Sequence, residues 1–231
     1  GPDLSLTIAG PEAASLSDDP DNLVLRAARL MGVPARLSLW KDLPVASGIG
    51  GGSADAAATL RLLARWSGLP LPSQDSGLRL GADVPVCMAG VPVRMRGVGE
   101  DLAPLPVLPP LWLVLVNPRL PVSTPEVFAG LAQKQNAPMS ELPKGVLRSA
   151  VDLAGWLSAE TRNDLALPAR QLVPVLGQVQ AALAALDGCL MARMSGSGAT
   201  HFGLFATGEA ALSASRLLAA AHPDLWITAA P

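Results

Sequence analysis

Three segments of this chain carry residue types that can handle phosphate and move a proton. The first is Pro44-Val45-Ala46-Ser47-Gly48-Ile49-Gly50-Gly51-Gly52-Ser53-Ala54. Its glycines allow positive φ angles and remove side chains, so backbone N–H groups can converge on an anion. The run from Ser53 to Leu63 is rich in alanine and leucine and predicts a helix opening where the loop ends. The unpaired amides and positive dipole end of such a helix add to an anion site. A polyphosphate suits this loop, and the Ser53 hydroxyl can contact a phosphate or a Mg²⁺ ion. The bland alternative is a glycine-rich turn without a ligand.

The second segment, Leu80-Gly81-Ala82-Asp83-Val84-Pro85-Val86, sets one carboxylate in an apolar run. Phosphoryl transfer to an alcohol needs a group that orients the hydroxyl and takes its proton, and Asp83 is the candidate. A turn-forming aspartate ahead of Val-Pro is the competing reading. The third segment, Ser195-Gly196-Ser197-Gly198, lies between two strand-like runs. It reads either as part of a phosphate site or as a tight hairpin turn.

Two common phosphate motifs are absent. No lysine follows the first glycines, as a Walker A loop requires. Ser53 stands where a dinucleotide-binding fingerprint should place its third glycine.

Pro-x-x-x-Gly-x-Gly-x-x-Ser at the opening of a helix resembles the second motif of the GHMP kinases, the group of galactokinase and the homoserine, mevalonate and phosphomevalonate kinases. Leu-Gly-Ala-Asp-Val-Pro resembles the segment carrying that family's catalytic aspartate, and Arg193 to Phe205 resembles its third motif. The resemblance runs from about Leu4 to Phe205. It implies an α+β two-lobe fold, with an N-terminal lobe like domain 2 of ribosomal protein S5 and a ferredoxin-like C-terminal lobe. It implies a nucleotide-binding domain over residues 1–110 and a second domain over 111–231. It further implies that residues 44–54 and 195–198 bind ATP, that Ser53 meets Mg²⁺, and that Asp83 is catalytic.

The triple glycine before Ser53 is typical of members acting on 4-diphosphocytidyl-2-C-methyl-D-erythritol. The implied reaction is phosphorylation of its 2-hydroxyl in non-mevalonate isoprenoid biosynthesis. Another GHMP small-molecule kinase, of homoserine or mevalonate type, and a non-catalytic binding protein of the same fold remain open. Arg162-Asn163-Asp164-Leu165 also matches a family segment, making Asn163 a structural or substrate-side candidate beside its plainer reading as a helix cap. The family's first motif, with its lysine on an initial strand, and its cytidine-stacking aromatics do not appear. Lys41 is not in that lysine's place.

The positioning elements follow from periodicity. Leu4 to Ile8 and Arg36 to Trp40 alternate as strands. A helix starts at Asn22 and is closed by Gly32. Pro70 to Asp75 reads as loop, and Gly68 to Leu80 is short for a full helix. Leu80 to Gly90 reads as a loop leading into a short apolar strand, with Val91 to Met95 as its partner. Leu111 to Asn117 is a buried strand, Ser123 to Arg170 is helix-like, and Pro174 to Leu186 is a helix. His201 to Phe205 is a strand, and Glu209 to Ala221 is a final amphipathic helix. His201 reads as a strand-edge residue, His222 as a surface residue, and the tryptophans as core.

Composition limits the partners. The net charge is −2 with 16% charged residues, without the basic surplus of a nucleic-acid binder. Cys87 and Cys189 lie far apart in sequence and form no cluster for a structural zinc site; one disulfide between them is open, and two buried free thiols in a reducing cytosol are the favoured reading. No apolar run approaches the ~20 residues of a membrane span, and no signal peptide is visible. The expectation is a cytoplasmic enzyme of small molecules, without nucleic-acid or membrane partners, acting as monomer or homodimer.

Overall fold

The structure, a computed structural model, describes residues 4–45, 47–143, 145 and 147–231. The chain forms two compact units, one of Gly1–Val45 with Gly50–Leu105 and one of Ala46–Ile49 with Pro106–Pro231.

The first unit opens with β1 (Ser5–Ala9), α1 (Leu23–Met31) and β2 (Arg36–Trp40). The two strands are parallel, with Ser5 opposite Arg36 and Ala9 opposite Trp40. Asn22 accepts the Val24 N–H at 3.0 Å, and Gly32 ends α1 in the left-handed conformation, as the residue types require. Then come α2 (Gly51–Ser67), α3 (Gln74–Leu80) and α4 (Val84–Ala89), followed by the antiparallel pair β3 (Val93–Arg96) and β4 (Asp101–Pro104).

Helices α1 and α2 meet through Ala27, Ala28, Met31, Ala56, Leu60 and Leu63, all buried. Small alanines let the helices approach closely, while Leu60 and Leu63 supply the apolar area. Burial of each leucine contributes about 2 kcal/mol.

Two segments depart from the periodicity reading. Residues 84–89 form a helix rather than a strand: Pro85 sits in the first turn, where its missing N–H costs nothing, and Gly90 ends the helix left-handed. A continuous apolar run cannot by itself distinguish the two. Helix α3 begins at Gln74, inside the stretch read as loop, because the Ser73 hydroxyl caps the Ser76 N–H. Strand β4 had no signal of its own.

The second unit contains β5 (Trp112–Asn117), α5 (Thr124–Ala129), α6 (Ala150–Glu160), α7 (Ala166–Leu172) and α8 (Val175–Ala184). It continues with β6 (Met191–Met194), β7 (His201–Phe205), α9 (Gly208–Ala221) and β8 (Trp226–Ala230). The sheet order is β6-β7-β5-β8 and every pairing is antiparallel. The first strand of the unit thus lies between its third and fourth, which together with α8 and α9 makes a ferredoxin-like βαββαβ arrangement. Val114, Val116, Val179, Leu183, Phe205 and Leu218 form its core.

Strand β8 lies beyond the last element read from sequence. The tryptophans do not fill the core: Trp40 and Trp66 are about two-thirds exposed, and Phe205 is the bulkiest fully buried side chain. His201 is fully buried on an inner strand rather than at an edge, whereas His222 is exposed at the end of α9. Both cysteines are free and half-buried. Among the described residues no helix is long and apolar enough to cross a membrane.

Candidate active site

In the first unit the glycine loop runs into α2, whose N-cap Gly50 has φ 67° and ψ 19°. This left-handed geometry favours glycine, and a Cβ there would also approach Asp83 Oδ2 to 3.8 Å. Among the described residues no side chain caps α2. The first intrahelical bond runs from Ala54 N–H to Gly50 O at 2.8 Å. The amides of Gly51, Gly52 and Ser53 precede that bond, so the helix offers them no carbonyl. Three uncapped amides at the positive end of a 17-residue helix fit an anionic group such as a polyphosphate.

Asp83 is exposed at the N-cap position of α4, and its carboxylate makes no capping bond there. The oxygen that a Gly50 side chain would meet therefore faces the start of α2. Its charge, after burial, is the second cause that pushes the Cys87 thiol up. Ser53 is half-buried, with its Oγ 3.9 Å from where a Gly81 Cβ would stand.

Lys41 was not placed by its sequence position. It is 4% exposed and its Nζ lies 2.6 Å from Asp55 Oδ2. The same Nζ lies 3.4 Å from where a Gly51 side chain would begin. A buried cation thus sits beside the first turn of α2, neutralised by a carboxylate of the same helix. The 14-residue separation from Asp55 gives no local signal for this pair.

Of the remaining loop residues, Pro44 is buried and has no N–H to offer, Val45 is half-buried, and the Ala54 N–H is engaged by its helix. Ala46 lies outside the described residues.

In the second unit, Ser47, Gly48 and Ile49 accompany the second glycine loop. Gly48 has φ 73°, and a Cβ there would lie 2.5 Å from Gly198 O and 2.7 Å from Ser195 O, closer than any side chain can come. The Ser195 hydroxyl donates to Gly48 O at 2.8 Å, and the Thr200 N–H donates to Ser47 O at 3.1 Å. Within the loop, Ser195 N–H bonds Thr200 O at 2.9 Å and Gly198 N–H bonds Ser195 O at 3.0 Å. These two amides are thereby committed to loop structure.

The surrounding side chains complete the frame. Ser197 Oγ and Thr124 Oγ1 share a hydrogen bond of 2.8 Å, and buried Asn117 donates from Nδ2 to Thr200 Oγ1 at 2.9 Å. Asn163 donates from Nδ2 to Met194 O at 2.9 Å and Gly196 O at 2.8 Å, and its Oδ1 accepts the Leu165 N–H ahead of α7. Thr124 and Asn117 had no motif to mark them.

A cavity of about 620 Å³ opens beside Ser195 and Gly196 within this unit. Among the described residues, Lys134, Arg162 and Arg193 line it against one carboxylate, Asp164, which Arg162 already pairs at 2.7 Å. Arg193 donates to Leu157 O and Thr161 O at 3.0 and 3.1 Å, and burial lowers its pKa. The surplus of positive charge suits an anionic ligand.

Residues 22–94 match the GHMP kinases N terminal domain, and residues 139–224 match the GHMP kinases C terminal domain. The chain is 59% identical over 227 residues to a 4-diphosphocytidyl-2-C-methyl-D-erythritol kinase of Cereibacter sphaeroides, covering 97% of this chain and 81% of that protein. It is 56% identical to the protein of that name from Ruegeria pomeroyi, covering 96% of this chain and 80% of the relative. A crystal structure of 4-(cytidine 5'-diphospho)-2C-methyl-D-erythritol kinase superposes with a TM-score of 0.75 at 33% identity, covering 99% of this chain and 83% of that one. A homoserine kinase from Cytophaga hutchinsonii shares the fold at a TM-score of 0.61 and 19% identity. With both domain models matched and relatives this similar along nearly its whole length, the chain belongs to the GHMP kinase family.

Proposed function

We propose that this protein transfers the γ-phosphoryl group of ATP to the 2-hydroxyl of 4-diphosphocytidyl-2-C-methyl-D-erythritol. The observation that carries the chemistry is the Asp83 carboxylate, free of any capping bond and facing the start of α2. The named relatives, at 59% and 56% identity, carry the choice of acceptor.

The amides of Gly51, Gly52 and Ser53 hold the nucleotide's phosphates, and the α2 dipole offsets part of their charge. The Ser53 hydroxyl would meet Mg²⁺, which when bound would neutralise charge on the transferring phosphoryl group. The segment from Ser195 to Thr200 holds the backbone of Ser47 and Gly48 in shape. Asp83 orients the acceptor hydroxyl and takes its proton as the oxygen adds to phosphorus and ADP departs. Positioning and electrostatics supply most of the rate gain. The enzyme acts in the cytoplasm, as a monomer or homodimer.

The test is ADP release with Mg-ATP, comparing 4-diphosphocytidyl-2-C-methyl-D-erythritol with homoserine, mevalonate and galactose. Turnover with the cytidylated alcohol alone is the expected result. Turnover with a different acceptor overturns the substrate assignment. ATP binding without turnover on any acceptor replaces the kinase reading with that of a binding protein.

A further inference from the structure

The second glycine loop is held by a side chain outside it. Asn163 places one Nδ2 between the carbonyls of Met194 and Gly196, at 2.9 and 2.8 Å, so that it grips the backbone on both sides of Ser195. Its Oδ1 is fixed in turn by the Leu165 N–H at 2.9 Å, and the Ala166 N–H bonds the Asn163 carbonyl at 3.1 Å. Each polar group of this amide therefore has a partner, and the grip is anchored to the start of α7. The residue it brackets, Ser195, reaches Gly48 O at 2.8 Å. Gly48 stands two residues before the N-cap of α2.

We propose that Asn163 is a positioning residue for the nucleotide loop: by gripping Met194 and Gly196 it holds Ser195 on the Gly48 carbonyl. This inference rests on the kinase reading for its consequence in turnover. The geometry it concerns, however, can be read without any substrate. No other side chain can replace the grip easily. Glutamine moves the amide outward by a methylene, and leucine leaves the Met194 and Gly196 carbonyls without this donor. Aspartate keeps the acceptor for Leu165 but turns a second oxygen toward two carbonyls.

The experiment compares wild type, Asn163→Asp, Ser195→Ala and the double variant. Amide hydrogen exchange is followed at Thr200, whose N–H bonds Ser47 O at 3.1 Å and so reports whether the loops stay together. The steady-state rate is measured against Mg-ATP at saturating acceptor. For Asn163→Asp the expectation is faster exchange at Thr200 with unchanged exchange in α9. A loss of about 100-fold in kcat/KM for ATP is also expected, the scale of a small misplacement in a reacting site. Ser195→Ala added to Asn163→Asp should cost no more than about twofold further, since both act through one contact.

Thr200 exchange that stays at the wild-type rate overturns the proposal, whether or not the enzyme turns over. So do losses that multiply in the double variant. If Asn163→Asp does not fold, Asn163→Ser, which retains one donor, is put through the same comparison. An inactive wild type with accelerated Thr200 exchange in the variant supports the grip while refuting the kinase reading, so the two failures remain distinct.

Discussion

The hydroxyl of Ser195 donates to the carbonyl of Gly48 at 2.8 Å, joining two glycine-rich segments that lie 147 residues apart. Neither segment can form that contact with a bulkier neighbour. The Gly48 Cα faces the carbonyls of Gly198 and Ser195 at distances that leave no room for a Cβ. Gly48→Ala should therefore push the loops apart as well as strain a backbone at φ 73°. A loss of about 1–3 kcal/mol in stability is expected, with kcat/KM for ATP falling more steeply than the melting temperature suggests. Urea unfolding beside ADP-release kinetics checks both.

Asp83→Asn keeps the size of the side chain and removes the proton acceptor. Turnover should fall by about 10²–10⁴-fold, while the dissociation constant for Mg-ATP changes little. Calorimetric titration separates the two quantities. Near-wild-type kcat in this variant would remove Asp83 from the chemistry.

The Lys41–Asp55 pair predicts an asymmetry among variants. Asp55→Ala leaves an ammonium group that is 4% exposed without its counter-charge. Removing one partner of a fully buried pair costs roughly 3–5 kcal/mol. Here the Asp55 side chain is 25% exposed, and water screening lowers the expected cost to about 2 kcal/mol. Replacing both residues, as Lys41→Met with Asp55→Leu, should cost less than the single change. Urea midpoints of the three variants decide this.

His201 gives a pH dependence. Burial, the largest cause, with a smaller contribution from the Arg170 charge, lowers its pKa to about 4, against a bond to the Ala199 carbonyl that raises it. Nδ1 lies 3.1 Å from that carbonyl, which can only accept, so Nδ1 carries the proton. Nε2 is buried with no hydrogen-bond partner among the described residues and would have to bear the added proton. The unfolded chain takes up this proton near pH 6.5 and the folded chain only near 4. Stability is therefore full above about pH 6.5 and declines as pH falls toward 4. The decline attributable to this residue is on the order of 3 kcal/mol. Urea unfolding from pH 7 to 4 should show it in wild type and lose most of it in His201→Gln.

Several elements were legible because their signals are local. Asn22 and Gly32 set the two ends of α1, and alternation from Leu4 and from Arg36 marked β1 and β2. The glycine loop announced the uncapped start of α2, since glycines followed by an alanine-rich run have few other uses. Asp83 stood out as a lone acid in an apolar run. Residues 84–89 are not legible for the opposite reason: a short apolar run carries no period, and the capping geometry around Pro85 and Gly90 decides for a helix.

The sequence by itself determined which segments carry the chemistry, because φ angles, helix ends and carboxylates are properties of a few adjacent residues. Only the tertiary structure decided what those segments touch. Lys41 meets Asp55, Asn163 grips Met194 and Gly196, and Ser195 closes on Gly48, across separations of 14, 31, 33 and 147 residues. Such partnerships are selected by packing and by the need to satisfy every buried donor, acceptor and charge, conditions that exist only once the chain has folded.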